Sequence, residues 1–168
     1  VQEGLIDLGI ICTQPKEKDF ESFFLTQDPM NVIIHRDNIL SKEKTIPLKK
    51  LANESLVLYR DDFNLHDEII QDCKKIGFQP KIVFETSQRD LMIQTVVANL
   101  GVALLPSRIC PNKESNPRVA EQVVVRPLVE PEIMHVLYVI WKRGHYLSHA
   151  AQLWLDFVRN KTRTISNI

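Results

Sequence analysis

The sequence has no net charge: 21 basic and 21 acidic side chains cancel over 168 residues. Without a global field to draw the chain onto a phosphate backbone, nucleic-acid binding by these residues is disfavoured. No apolar run approaches the roughly 20 residues that span a bilayer, and no charged-then-apolar leader opens the chain. A soluble, cytoplasmic protein without membrane contact is expected. Cysteine is scarce, odd in number and widely spaced, at Cys12, Cys73 and Cys110. With no CxxC or His-rich cluster beside them, these fit a reducing compartment and thiols used as small buried hydrophobes. The GxSxG, P-loop, GxGxxG and HExxH patterns are all missing. The five histidines, His35, His66, His135, His145 and His149, are scattered, and exposed loop and helix positions are expected for them rather than metal ligation. Asp61 and Asp62, followed by Asn64, read as a turn and helix cap rather than a catalytic carboxylate pair. No catalytic residue, metal or cofactor is expected.

What is present has the balance of a soluble globular protein, with 44% apolar and 25% charged residues. The length suits one ordinary domain, or two small lobes sharing strands. The densest information lies between Ser87 and Pro106. Ser87 with Asp90 three residues on has the spacing of a capping box. Met92, Val96 and Leu100 then recur at i, i+4 and i+8, with Ile93 and Val97 alongside, which gives a helix one apolar face. Gly101 is expected to end that helix in the left-handed conformation, and Val102–Leu105 reads as a short buried strand. With a strand over Lys81–Glu85 ahead of it, the stretch forms a βαβ unit. Such a crossover brings the helix N-terminus to the carboxyl edge of the sheet, where open α/β folds bind ligands.

Elsewhere the patterning predicts a buried strand over Leu8–Cys12, a short apolar segment over Phe20–Leu25 and, after Pro29, a separate strand over Met30–His35. A helical turn at Pro47–Leu51 leads into a strand over Ser55–Tyr59. Leu65, Ile69, Cys73 and Ile76 mark an amphipathic helix stopped by Gly77. Val123–Arg126 reads as an edge strand, Met134–Trp141 as the longest strand, and Leu147, Ala151, Trp154, Leu155 and Val158 as the apolar face of a last helix with a frayed tail from Asn160. Polar or proline-bounded links near Arg36 and Pro131 predict an inserted lobe over residues 37–131, with 1–36 and 132–168 folding together as the other. Two crossings between lobes make a hinge, and ligands favour the cleft of a hinged pair.

Three strand ends carry groups suited to a ligand. Tyr59 and Arg60 follow one, where a side chain would overhang a cleft and a guanidinium could take a carboxylate as a planar fork; a solvated loop Arg is the competing interpretation. Thr86 and Ser87 follow the next, offering hydroxyls and backbone N–H groups to an anion, or serving only as a helix cap. Cys12 and Thr13 follow the first.

Ordered motifs give these features a family. Gly4-Leu5-Ile6-Asp7-Leu8-Gly9-Ile10 resembles the G-x-LD-L-G/A-I segment of the effector-binding domain of LysR-type transcriptional regulators. Pro47-Leu48 with Leu51, the run from Cys73 through Gly77, Phe78 and Pro80, and the run from Val96 to Pro106 are similar to three further segments of that domain, in the same order. The resemblance implies an α/β, two-lobe, periplasmic-binding-protein-like fold with mixed and parallel sheets, flanking helices and crossings near Asn31–His35 and Val136–Trp141. It implies a bacterial ligand sensor that binds a small anionic or carboxylate effector between its lobes through Cys12, Thr13, Tyr59, Arg60, Thr86 and Ser87. It implies a homodimer or homotetramer, with helix Leu65–Ile76 at the subunit contact, and DNA contact through a winged helix-turn-helix outside these residues. Two departures accompany it. Cys12 stands where the family carries Thr, and the family's first strand and helix are missing, so apolar surface along Leu8–Cys12 is expected to be exposed and the isolated chain poorly stable. A solute-binding protein or an enzyme on the same scaffold is the alternative.

Overall fold

Residue contacts divide the chain into two units, residues 1–27 with 136–168 and residues 28–135, in a computed structural model that describes residues 1, 3–15 and 18–165. The first unit contains β1 (Gly9–Ile11), the first half of β2 (Phe20–His35), most of β8 (Met134–Lys142) and α4 (His149–Ile165). Its strand order is β1-β8-β2, with β1 antiparallel to β8. Val139, Trp141 and Leu155 form its buried core, joined by Leu8, Phe23, Leu25 and Leu147. Arg159 of α4 lies over the Trp141 ring at 5.3 Å, so a charged side chain covers part of that core with its cation facing π density.

The second unit is a six-stranded mixed sheet. Its other strands are β3 (Ile46–Pro47), β4 (Ser55–Leu58), β5 (Lys81–Glu85), β6 (Val102–Pro106) and β7 (Val123–Val129). The order is β5-β4-β6-β2-β7-β3, with β4 parallel to β5 and β6, and β2 antiparallel to β6 and β7. Helices α1 (Asn64–Lys75), α2 (Arg89–Val97) and the one-turn α3 (Pro117–Ala120) join these strands. Strand β6 and residues Leu56–Leu58 of β4 are buried and apolar, since both strands lie inside the sheet with a neighbour on each side.

Several sequence expectations change here. Phe20–Leu25 and Met30–His35 form one strand of 16 residues, which makes β2 rather than β8 the longest. Pro29 does not break it, because the ladder to β6 begins one residue later, at Met30 opposite Pro106. That pairing holds Met30–His35 in the second unit, so the division falls at Asp28 rather than after Arg36, and at His135 rather than Pro131. Strand β7 continues through Pro127 and is flanked on both sides, by β2 and β3. Strand β1 covers Gly9–Ile11 rather than Leu8–Cys12 and is not buried, while Ile10, 56% exposed, agrees with the apolar surface expected along this strand. Helix α4 runs on to Ile165, past the expected fraying point at Asn160; the end of that tail, residues 166–168, lies outside the described residues.

The two crossover helices end by different devices. In α1, Gly77 takes a φ of 93°, while its N–H and that of Phe78 close onto Lys74 O and Cys73 O, as the sequence predicts. In α2 the left-handed position falls on Asn99, with φ 55°, and the Leu100 N–H reaches Thr95 O at 3.1 Å. Gly101 therefore does not supply the helix stop. It is needed for space, since a Cβ there would lie 2.6 Å from Ser55 O of β4. Leu100, expected on the apolar face, is 64% exposed because the helix has already ended.

Candidate functional site

The carboxyl ends of the parallel strands β4, β5 and β6 carry the polar groups of the second unit. Tyr59 follows β4. Its ring is 8% exposed and stacks on Phe63 at 5.6 Å, so it is buried rather than overhanging. Burial, with a further push from the Cys110 thiol and against the pull of Arg89, raises its hydroxyl to about 12. The phenol is thus neutral throughout the physiological range, a hydrogen-bonding group and not a charge. Arg60 is exposed and already forked onto Asp62 through Nε, at 3.0 Å, and Nη2. Its fork is oriented but engaged by a neighbour that a competing carboxylate would have to displace.

At the end of β5, Thr86 is 7% exposed. Its N–H extends the β4 pairing by one bond, to Leu58 O at 3.1 Å, and its Oγ1 accepts from the Gln88 N–H at 3.1 Å. Ser87 projects at the surface between these anchors. The expected capping box at Ser87 is not formed: Gln88 is the N-cap of α2 and makes no side-chain cap bond, while Thr86 turns the chain into the helix. The reason is register, since the first turn begins one residue later than the Ser87–Asp90 spacing predicts. Asp90 is instead paired with Arg89 at 2.7 Å, and Arg89 Nε donates to Ile109 O at 2.6 Å.

Beyond β6, Cys110 is half-buried; its thiol donates to Pro106 O at 3.4 Å and is raised to about 11, mainly by burial. A thiol held this far from ionisation is a weak nucleophile. Cys73 is fully buried with the same direction of shift, which fits the expected use of thiols as core hydrophobes. In the first unit, half-buried Cys12 and exposed Thr13 follow β1. A hollow of about 270 Å³ in the second unit is lined by Arg89, Asp90, Gln94, Ser115 and Asn116 among others. None of the six expected contacts lines it.

Expected exposure fails for His66, which is 8% exposed in the first turn of α1 and lies 3.0 Å from Asp67 and 3.1 Å from Glu85. Its signal in the sequence is its place beside Leu65 on the face that also buries Ile69 and Cys73. Among the described residues there is no group of three or more His, Cys, Asp or Glu side chains that could hold a metal ion, and no helix long and apolar enough to cross a membrane.

The model of the LysR substrate binding domain matches residues 1–163. The chain belongs to that family. YwbI, an uncharacterised HTH-type transcriptional regulator of Bacillus subtilis (strain 168), is 38% identical over 160 residues, 95% of this chain and 52% of YwbI. The chain spans about half the length of the curated relatives it matches. The effector-binding domain of QuiR in complex with shikimate superposes with a TM-score of 0.82 at 24% identity, covering 97% of this chain and 75% of that one. The BenM effector-binding domain with its effector benzoate gives 0.78 at 19%, covering 98% and 73%. The α/β, periplasmic-binding-protein-like fold expected from the LysR motifs is therefore the fold of this chain, and its relatives are bacterial transcriptional regulators.

Proposed function

We propose that this chain is the ligand-sensing regulatory domain of a LysR-type DNA-binding transcription regulator, and that its effector is a small anion or carboxylate. The family match over residues 1–163 carries the proposal. The ligands named with QuiR and BenM, shikimate and benzoate, are both carboxylates, which supports the chemical class. In the second unit the contacts are Thr86 and Ser87, with the neutral Tyr59 hydroxyl and the Arg60 guanidinium nearby in sequence to the β4 end. In the first unit they are Cys12 and Thr13. No catalytic step, cofactor or membrane partner is part of this function. The regulator acts in the cytoplasm as a homodimer or homotetramer and contacts DNA through a winged helix-turn-helix outside these 168 residues. Effector binding shifts the population of conformers, and the linkage works in both directions.

The test is a thermal-shift series on the full-length regulator with benzoate, shikimate and inorganic anions. A ligand at about a hundred times its Kd adds about 2.7 kcal/mol to the native state, so a bound carboxylate raises the melting temperature by several degrees. Ser87→Asp, which places a negative charge at the rim, abolishes that rise. No stabilisation by any member of the series, with operator binding equally unaffected, would overturn the assignment.

A further inference from the structure

The hollow of about 270 Å³ in the second unit is built by α2 together with the segment that leads into α3. It falls just short of the roughly 300 Å³ at which pockets for drug-sized ligands begin, so it suits a smaller molecule. Arg89 and Asp90 line it one helix turn before Ile93 and Gln94, and Asn116 and Val119 line it from the other segment. Ile93 and Val119 are buried members of the core, which gives the hollow an apolar floor under a polar rim.

That rim carries one charge of each sign. Arg89 Nε donates to Ile109 O at 2.6 Å and Nη1 to Asp90 Oδ1 at 2.7 Å. A guanidinium has five N–H donors; these two bonds fix its plane, and among the described residues Nη2 keeps its donors for a ligand. Asp90 likewise has Oδ2 to offer. Asn116 Oδ1 accepts from the Val119 N–H at 3.3 Å, and with Gln94 it adds only neutral amides. A simple anion would be drawn by Arg89 and repelled by Asp90 beside it, and a simple cation would meet the reverse. A zwitterion laid antiparallel to the pair gains a charge-assisted bond at each end and is repelled at neither.

We propose that this hollow binds a free α-amino acid with an apolar side chain. Its carboxylate sits on Arg89, its ammonium on Asp90, and its side chain on Ile93 and Val119. None of the six expected effector contacts lines the hollow, so this is a second site whose occupancy does not depend on the effector assignment. Asp90 is largely exposed, and water weakens an ion pair in such a place, so the binding is in the millimolar range.

The test is methyl NMR on the full-length protein labelled at Ile, Val and Thr, titrated with L-leucine. The Ile93 and Val119 methyls shift and saturate. Isocaproate, which lacks the ammonium, and isoamylamine, which lacks the carboxylate, bind about tenfold more weakly or worse, since each loses one charge-assisted bond. Asp90→Asn weakens leucine about tenfold and brings isocaproate level with it, because the repulsion is gone. Arg89→Gln removes binding of leucine; if that variant does not fold, Asp90→Asn decides alone, as its side chain is exposed. No saturable shift at Ile93 and Val119, shifts confined to Thr86, isocaproate binding as well as leucine in wild type, or a preference for leucine unchanged in Asp90→Asn would each overturn the proposal.

Discussion

His135 is held below the ordinary imidazole range by burial, with the Asp28 carboxylate pulling the other way. The native ring therefore stays neutral where the same ring in the unfolded chain has begun to take up a proton. Stability linked to it is complete above about pH 6.5, the unperturbed value, and is lost as the pH falls from there towards the native value, because the unfolded state binds more protons. His135→Gln is expected to reduce the loss of urea-midpoint stability between about pH 6.5 and pH 5 relative to wild type; an unchanged slope would argue against burial as the cause. The same scale shows what single-residue inspection of the sequence misses. Tyr59 and His66 both look like surface groups beside polar neighbours, yet both are 8% exposed, because the residues that cover them are distant in the chain or lie across a helix turn.

The connection from α2 to β6 shows how elements constrain one another. Strand β6 runs parallel to β4, and Gly101 enters it where the β4 backbone leaves no room for a side chain. Gly101→Ala forces a backbone shift rather than a rotamer change, and is expected to cost about 1–3 kcal/mol in chemical denaturation, the ordinary penalty for overpacking. Asn99→Gly, at the position that is left-handed, is expected to be tolerated in the same measurement. Much at this scale is legible in advance. The α1 periodicity, its Gly77 stop and the fully buried β6 follow from apolar spacing and one glycine. The capping box at Ser87 and the break at Pro29 do not hold, because a cap depends on a one-residue register and a proline breaks a strand only where its missing N–H is needed.

For the molecule as a whole, the two units differ sharply in what holds them. Among the described residues, the second holds 26 buried apolar residues in one cluster, while the cluster of the first is Val139, Trp141 and Leu155. Local opening free energy follows buried contact. Amides of β8 within residues 137–141 are therefore expected to exchange faster than those of β6, in the same sample and at one pH. Equal protection in the two strands would mean that the chain opens only as a single cooperative unit.

The candidate contacts divide along the same line. Composition, apolar spacing and the order of four short motifs are enough to identify the α/β class, the family and the strand ends where polar groups gather, because these depend on local periodicity and on residues adjacent in the chain. Which of those groups are buried, engaged or open depends on side-chain contacts that apolar spacing does not encode: Asp62, two residues on, occupies the Arg60 fork, the Tyr59 phenol lies under cover, and Glu85 meets His66 across 19 residues. A hydrogen bond across that separation leaves no period in the sequence, so it becomes visible only once the strands and helices have been brought together.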